Sequence, residues 1–223
     1  MSPRTVPRAL LVGAAASVIG SVSLPAASHA DVFLLTSDHC TGGCGTPPFG
    51  QVSVTSPSSG MLDFAVTLFN SNKFVNTGFP LTFGFDLSST PTITYSSLIS
   101  GWSIPDAIPT NKQAAANPLY HQDGAGFYEY GVLWGQQGGG HGTSGPLSFE
   151  IAATGLTLAS IVQNATGQFF ATDIISGTNG NTGNVDASVR GVPGPIAGAG
   201  LPGLLAACSG LLMLATRRRN NLA

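Results

Sequence analysis

Charged side chains are scarce in this sequence. Asp, Glu, Lys and Arg make up 8% of the 223 residues, against about 25% in an ordinary globular protein. Between residues 31 and 190 there are only three basic residues, Lys73, Lys112 and Arg190, beside all ten acidic ones, a net charge of −7. Binding of nucleic acid needs clustered Lys and Arg to neutralise phosphates. The distribution therefore excludes a nucleic-acid-binding protein.

Catalytic signatures and helical periodicity are also missing. No serine stands in a G-x-S-x-G pattern, and neither a phosphate-binding loop nor a dinucleotide-binding glycine fingerprint is present. The segment 31–190 holds no long run of apolar residues at helical spacing. Disorder is excluded as well, because 43% of the chain is hydrophobic and 160 residues can bury one good core.

The first 30 residues have the three parts of a secretory signal. Arg4 and Arg8 form a basic region, and an apolar stretch follows over 9–24. Small residues then precede a predicted cleavage between Ala30 and Asp31. The alternative, an uncleaved N-terminal membrane anchor, is disfavoured by this small-residue site. The segment predicts export.

A second apolar run lies near the other end of the chain. Residues 196–216 are uncharged and mostly apolar, and a helix of about 20 residues at 1.5 Å per residue spans a hydrocarbon core of about 30 Å. Arg217, Arg218 and Arg219 follow at once, which by the positive-inside rule predicts a cytoplasmic tail and an external domain. A buried core helix is the alternative, and the adjoining arginines disfavour it.

The residues around this run resemble a known sorting signal. Val192, Pro193, Gly194 and Pro195, then an apolar helix, then arginines close to the last residue, resemble the PEP-CTERM tag of exported bacterial proteins, in a variant with Gly194 in place of the central Glu. The resemblance covers about the last 30 residues. It implies an exosortase-like sorting enzyme as partner and a route to the cell surface or an extracellular polymer matrix. It implies nothing about the fold of the domain that carries the tag.

The segment between the two ends is predicted to be all-β. Apolar and polar residues alternate through much of it, as in Leu62, Phe64, Val66 and Leu68, and turn residues separate the alternating runs. Eight or nine short strands at this spacing predict a single β-sandwich of jelly-roll or immunoglobulin-like type. The residues 101–126 and 135–145 are expected to be long loops. The predicted organisation is signal peptide 1–30, β-sandwich 31–190, linker and sorting motif 191–195, transmembrane helix 196–216 and basic cytoplasmic tail 217–223.

Two cysteines lie close together in the predicted domain. Cys40 and Cys44 are separated by three residues, two of them glycine, and export would place them in an oxidising compartment. This predicts a local structural disulfide. The alternatives are a metal site that adds Asp38 and His39 and a redox-active pair, which would ordinarily show C-x-x-C spacing.

Aromatic residues line one predicted strand. Tyr128, Tyr130 and Trp134 alternate with Glu129, and Trp102 lies in the loop before them. If these rings are exposed in a row, they form a platform on which sugar rings could stack. Packing between the two sheets is the alternative use of such a row.

Other polar residues are weaker candidates for chemistry. His121, Asp123, Glu129 and His141 could bind a metal or supply acid–base groups, although their spacing fits no known motif. The turn Asn179–Asp186 offers oxygen ligands for Ca²⁺ but few carboxylates.

The two glutamates of the chain are a further pair to weigh. Glu129 and Glu150 are both predicted on strands, and a glycosidase needs two carboxylates roughly 5–9 Å apart. The alternative is that both face outward and keep an apolar sheet soluble.

These observations favour an exported, non-enzymatic protein without a cofactor. We expect a structural or adhesive β-sandwich at the cell envelope, the cell surface or in the extracellular matrix, held by the C-terminal helix before processing. A carbohydrate-binding module that contacts extracellular polysaccharide is the second reading, and a matrix glycoside hydrolase is the third.

Overall fold

The computed structural model describes residues 30–106 and 113–191. The strands of its first part are β1 (Ala30–Leu35), β2 (Ser37–Asp38), β3 (Gly50–Thr55), β4 (Met61–Leu68), β5 (Lys73–Phe74), β6 (Phe83–Leu87), β7 (Ile93–Ser96) and β8 (Trp102–Ser103). Those of its second part are β9 (Gln113–Ala114), β10 (Tyr120–Gln122), β11 (Gly126–Tyr128), β12 (Tyr130–Trp134), β13 (Leu147–Ala152), β14 (Ile161–Val162), β15 (Phe170–Ile175) and β16 (Thr182–Ala187). Two short 3₁₀ helices, Gly139–His141 and Leu158–Ser160, complete the elements.

The strands form two large antiparallel sheets and one separate hairpin. The six-stranded sheet has the order β1-β3-β4-β13-β7-β9. The eight-stranded sheet runs β2-β16-β15-β6-β12-β8, with β14 paired to β6 and β5 paired to β15. Strands β10 and β11 pair only with each other. The prediction of an all-β fold is confirmed.

One hydrophobic core lies between the two large sheets. Alternate residues of β3 and β4 are buried, as the sequence pattern predicts. Phe64 of the six-stranded sheet contacts Phe85 of the eight-stranded sheet with ring centroids 5.0 Å apart. Phe33 meets Phe170 across the same interface at 4.8 Å. Facing sheets joined by interlocked side chains are consistent with a β-sandwich.

The β10–β11 hairpin forms a third layer on the outer face of the eight-stranded sheet. A second, smaller apolar cluster joins the hairpin to the sheet, made of Leu81, Tyr120, Ala125, Tyr128 and Ala171. The close approach depends on Gly84 of β6, because a Cβ there would lie 2.9 Å from Cγ of Tyr128. The hairpin therefore buries part of the outer face of the eight-stranded sheet, which two facing sheets alone would leave exposed.

The prediction of one long loop over residues 101–126 is wrong in part. Strands β8, β9 and β10 and the start of β11 lie in this segment. Short strands of two or three residues carry too little periodicity to show in a sequence. Their positions depend on pairing with distant strands, such as β9 with β7.

The two predicted targeting segments lie almost wholly outside the described residues. Of the signal peptide 1–30 only Ala30 is described, and the sorting motif 192–195, the helix 196–216 and the arginine tail are not. Within residues 30–106 and 113–191, no helix is long and apolar enough to cross a membrane.

Candidate functional site

The cysteine pair forms the predicted disulfide. Cys40 and Cys44 are bonded, with Cα atoms 5.5 Å apart. The Asp38 carboxylate accepts hydrogen bonds from both cysteine backbone amides, at 2.9 Å and 2.7 Å. Asn181 Nδ2 donates to the carbonyl of Gly43 at 2.8 Å. The five-residue loop is therefore fixed both internally and against the turn that precedes β16.

The disulfide also bears on the alternative that Cys40 and Cys44 bind a metal. Ligand atoms of Asp38, Cys40 and Cys44 lie within 4.8 Å of one another, and no other such group of three is found in the described part of the chain. Both sulfurs are consumed in the disulfide, so neither is a thiolate ligand. His39 turns away from the group, with Nε2 2.7 Å from Oδ2 of the fully buried Asp186. We therefore assign the cluster a structural role.

Three of the four rings considered for a sugar-stacking row are buried, which is the alternative of packing inside the domain. Tyr128 and Tyr130 are 0% and 1% exposed, and Trp102 is 8% exposed. Tyr130 stacks on Phe85 in the main core. Trp134 is half-buried against Trp102, and its Nε1 donates to the carbonyl of His141. Alternation along β12 and β11 places rings on covered faces, so they cannot form a platform for an external ligand.

Tyr128 belongs to the covered outer face and not to the core between the sheets. Its ring lies on Gly84. Burial, followed by the negative charges of Asp186 and Asp86, raises the pKa of the Tyr128 hydroxyl well above its ordinary value. The phenol is therefore neutral at all physiological pH values.

Aromatic exposure occurs instead on the outer side of the hairpin. Phe127 is 54% exposed, and its ring lies 4.8 Å from that of His121 on the paired strand. Leu119, 75% exposed, precedes the same strand. This small patch could not be predicted from the sequence, because only the structure shows which face of the hairpin is covered.

Glu150 lies on the six-stranded sheet, whereas Glu129 belongs to no strand, so the prediction that both lie on strands is wrong for Glu129. Glu150 of β13 alternates with buried residues, and its Oε2 accepts hydrogen bonds from the hydroxyls of Ser96 and Ser97 at 2.9 Å and 3.0 Å. Glu129 stands between β11 and β12, where its backbone amide donates to Asp86. The two glutamates therefore share no strand and no hydrogen-bond partner among the described residues.

The remaining histidine and acidic candidates are not gathered into a site. His121 packs on Phe127, whereas His141 lies in the 3₁₀ helix beside Trp134. Asp123 is exposed, and its backbone carbonyl accepts from Asn184 Nδ2 at 3.2 Å. Sequence proximity in glycine-rich loops did not bring these groups together.

Two buried acids on the eight-stranded sheet have perturbed ionisation. Burial raises the pKa of Asp86 to about 6, an effect partly offset by the hydrogen bond from the Glu129 amide. Burial also raises the pKa of Asp173 to about 6, offset in part by the Thr77 hydroxyl and amide, which donate at 2.6 Å and 2.8 Å. Both carboxylates lie on the outer face that the hairpin covers.

The two ends of the described domain are joined to each other. Arg190 Nη1 donates to the carboxylate of Asp31 at 2.8 Å, and the Gly191 amide donates to the Val32 carbonyl at 2.7 Å. The Arg190 guanidinium also lies over the rings of Phe33 and Phe169, at 5.6 Å and 5.5 Å from their centroids. The residue after the predicted cleavage is thus bonded to a residue two positions before the sorting motif.

The chain matches no protein-family model, no curated protein and no solved structure. Its function is therefore inferred from its own residues.

Proposed function

We propose that residues 31–190 form a non-enzymatic β-sandwich, of jelly-roll or immunoglobulin-like type, that is exported and held at the cell surface or in an extracellular matrix. The C-terminal segment 192–219 acts in this proposal as the sorting signal, read by an exosortase-like enzyme. The domain between the two targeting segments supplies a structural or adhesive surface.

The junction of Asp31 with Arg190 is the observation that carries the proposal. The sheet begins at Ala30, and the Gly191 amide makes the last hydrogen bond to it. Cleavage before Asp31 would remove one residue of β1 and leave the Asp31–Arg190 contact intact. A domain that closes on itself between two targeting segments keeps its fold when either segment is processed.

Two further features support an extracellular setting. The Cys40–Cys44 disulfide is of the kind that persists outside the reducing cytosol. Few charges cover the domain, so its solubility rests on Ser, Thr, Asn and Gly. Such a surface suits contact with neutral polymers better than contact with polyanions.

Most of the residues on which the carbohydrate-binding alternative is based are buried. Burial of Tyr128, Tyr130 and Trp102 leaves Phe127 and His121 as the exposed ring pair among the described residues. A single small pair is weak support for a sugar-binding face, so we do not favour this function. The hydrolase alternative is based on Glu129 and Glu150 as strand residues, and since Glu129 lies on no strand we do not favour it either.

The experiment is export of the full chain in a bacterium that has an exosortase, compared with a strain lacking it. We expect the protein to be accessible to external protease, to begin at Asp31 by mass spectrometry and to depend on the exosortase for its final location. The variant with Arg217, Arg218 and Arg219 all changed to Ala should be missorted. The matched control is Lys73→Ala, which removes a basic residue within the domain and should be sorted normally. A retained Met1, or identical surface delivery of the triple variant, would contradict the proposal.

A further inference from the structure

Five buried oxygen atoms between the β10–β11 hairpin and the eight-stranded sheet take part in no hydrogen bond. They belong to residues that are all 0% exposed. The atoms are Gln122 Oε1, Tyr128 Oη, Asp173 Oδ1, Asn184 Oδ1 and Asp186 Oδ1. Buried polar atoms almost always have a partner, and a group without one calls for an explanation by an ion or an ordered water. Five on one covered face indicate a common cause.

Strand register brings the sheet residues of this set together. Asp173 of β15 lies directly opposite Asn184 of β16, and Asp186 follows two residues later, on the same face as Asn184. Directly opposed residues of an antiparallel pair have Cβ atoms about 4.5–5.5 Å apart, and diagonal neighbours are about 7–8 Å apart. Two carboxylates and one amide therefore share one small area of the outer face.

The hairpin brings Gln122 over the same area. Gln122 Nε2 donates to the Leu81 carbonyl at 2.7 Å. The next residue, Thr82, accepts the backbone hydrogen bond of Asp173 at 2.8 Å. Asp123 follows Gln122 in the hairpin, and its backbone carbonyl accepts a hydrogen bond from Asn184 Nδ2. The hairpin thus crosses β15: Gln122 is bonded to the chain on the β6 side of that strand, and Asp123 is bonded to β16 on its other side.

The amide or carboxyl groups of four of these residues each use one polar atom in a hydrogen bond and leave one oxygen free: Gln122, Asp173, Asn184 and Asp186. Both amides donate their nitrogen to a backbone carbonyl, which fixes their orientation and leaves the amide oxygen free. Asp173 uses Oδ2 for Thr77, and Asp186 uses Oδ2 for His39. What remains free is a set of acceptor oxygens, including one oxygen on each of two buried carboxyl groups, of which that of Asp186 also faces His39. A cation bound between these oxygens would satisfy the acceptors and also compensate the buried carboxylates, which water alone would not do.

We propose that the layer between the β10–β11 hairpin and the eight-stranded sheet binds Ca²⁺ through Asp173, Asn184 and Asp186 of the sheet and Gln122 of the hairpin. Carboxylate and amide oxygens are the ligands that Ca²⁺ prefers, and its flexible coordination of six to eight oxygens leaves room for water molecules. Tyr128 covers the site from the hairpin side. The ion ties the hairpin to the sheet.

The metal choice follows from the donor set. The four proposed donors are oxygens, and two are uncharged, which is typical of the weaker extracellular Ca²⁺ sites with dissociation constants of about 10⁻⁴–10⁻³ M. Mg²⁺ demands a tighter octahedron and usually keeps several waters, which a covered layer formed by two rigid elements disfavours. The transition metals would prefer His or Cys ligands. His39, already occupied by Asp186, is the one such residue in contact with the set.

The test is calcium binding by the full-length protein after treatment with a chelator. Isothermal titration with CaCl₂ should show one site, and 5 mM CaCl₂ should raise Tm by roughly 2–6 °C. Excitation of Tyr128 should sensitise luminescence of Tb³⁺ bound in place of Ca²⁺. Asp173→Asn keeps an acceptor for Thr77 but removes a charge, so it should weaken Ca²⁺ binding at least tenfold. The matched control is Asp63→Asn on the six-stranded sheet, which should bind Ca²⁺ as the wild type does.

Several results would overturn the proposal. One is an unchanged Tm of the wild-type protein in CaCl₂ and in chelator, with no heat of binding, because the free oxygens would then be satisfied by water. Equal binding by Asp173→Asn that circular dichroism shows to be folded would place any ion elsewhere. An equal response to MgCl₂ would refute the assignment of Ca²⁺. None of these measurements depends on how the protein is sorted.

Discussion

Arg190 and Asp31, 159 positions apart in sequence, meet in a charged hydrogen bond of 2.8 Å that joins the last part of the domain to its first strand. Asp31 is almost fully buried, so the bond lies out of contact with most of the solvent. Arg190 also donates to the carbonyls of Ile161 and Leu158, at 3.0 Å and 3.4 Å. A single side chain thus links the first strand, the segment around β14 and the residues that precede the sorting motif.

We predict that Arg190→Ala destabilises the domain by about 1–3 kcal/mol. The change removes hydrogen bonds to a charged group and the cation–π contacts, and it leaves a buried carboxylate without a partner. Urea denaturation measures the difference in free energy of unfolding. Lys73→Ala, an exposed residue at the end of the short strand β5, is the control and should change stability by less than about 0.5 kcal/mol. Equal effects of the two variants would show that the junction is not stabilising.

Gly84→Ala should loosen the hairpin layer. The added Cβ would lie 2.9 Å from Cγ of Tyr128, and the ring can move away only by lifting the hairpin from the sheet. Overpacking of this kind costs about 1–3 kcal/mol. Hydrogen exchange should show faster exchange in β10 and β11 than in the wild type. Gly140→Ala is the matched control, since nothing lies within 4 Å of its added Cβ, and normal protection of the hairpin in Gly84→Ala would contradict the prediction.

Asp86→Asn should stabilise the protein at neutral pH. Because burial raises the pKa of Asp86 to about 6, the folded state binds more protons than the unfolded chain between about pH 4 and pH 6. The free energy of unfolding contributed by Asp86 therefore falls as pH rises through that window. Asn keeps an acceptor for the Glu129 amide and carries no charge. We expect Tm at pH 7.5 to rise by about 2–4 °C and the variants to converge near pH 4.

Asp106→Asn is the opposite case and serves as the comparison for that pH series. Hydrogen bonds from the Tyr120 hydroxyl and Asn117 lower the pKa of Asp106 below its ordinary value. Its contribution to stability is present above the unfolded pKa and is lost as pH falls. Asp106→Asn should therefore lower Tm at pH 7.5 slightly. A rise in Tm for both variants would show that general loss of negative charge, and not burial, is responsible.

Loss of the disulfide should have a modest effect on stability. A bond that closes a five-residue loop removes little entropy from the unfolded chain, so replacing both Cys40 and Cys44 by Ser should cost about 2 kcal/mol. Asp38 and Asn181 continue to hold the loop backbone. Urea denaturation of this variant, and of the wild type with reductant, should give the same shift. A loss of folding on reduction would mean that the bond organises more than its own loop.

Much of the fold could be predicted from alternation and turn residues. Strands β3 and β4 lie where the pattern of buried valine, leucine and phenylalanine predicts them. The disulfide follows from a three-residue spacing rich in glycine. Strands β8 to β10 could not be predicted, because two or three residues carry no periodicity, and β8 and β9 also pair with partners distant in sequence.

The site could be predicted much less well. Gln122, Asn184 and Asp186 come from segments that look like polar loops or turns, and no spacing relates them. Asn184 and Asp186 belong to the turn Asn179–Asp186, whose oxygens are candidate Ca²⁺ ligands in the sequence, but Asp173 and Gln122 lie outside it. Only the pairing of β15 with β16 and the position of the hairpin relate the four.

The sequence by itself determined which residues alternate, which cysteines bond and how few charges the domain carries. The tertiary structure alone decided what each face meets. Alternation assigns Tyr128 to one side of a strand, but a third layer can cover either side of a sheet. Because the β10–β11 hairpin covers the outer face, Tyr128 is buried with Asp173, Asn184 and Asp186, while Phe127 beside it is exposed. Burial depends on contacts between distant segments, and local spacing does not encode those contacts.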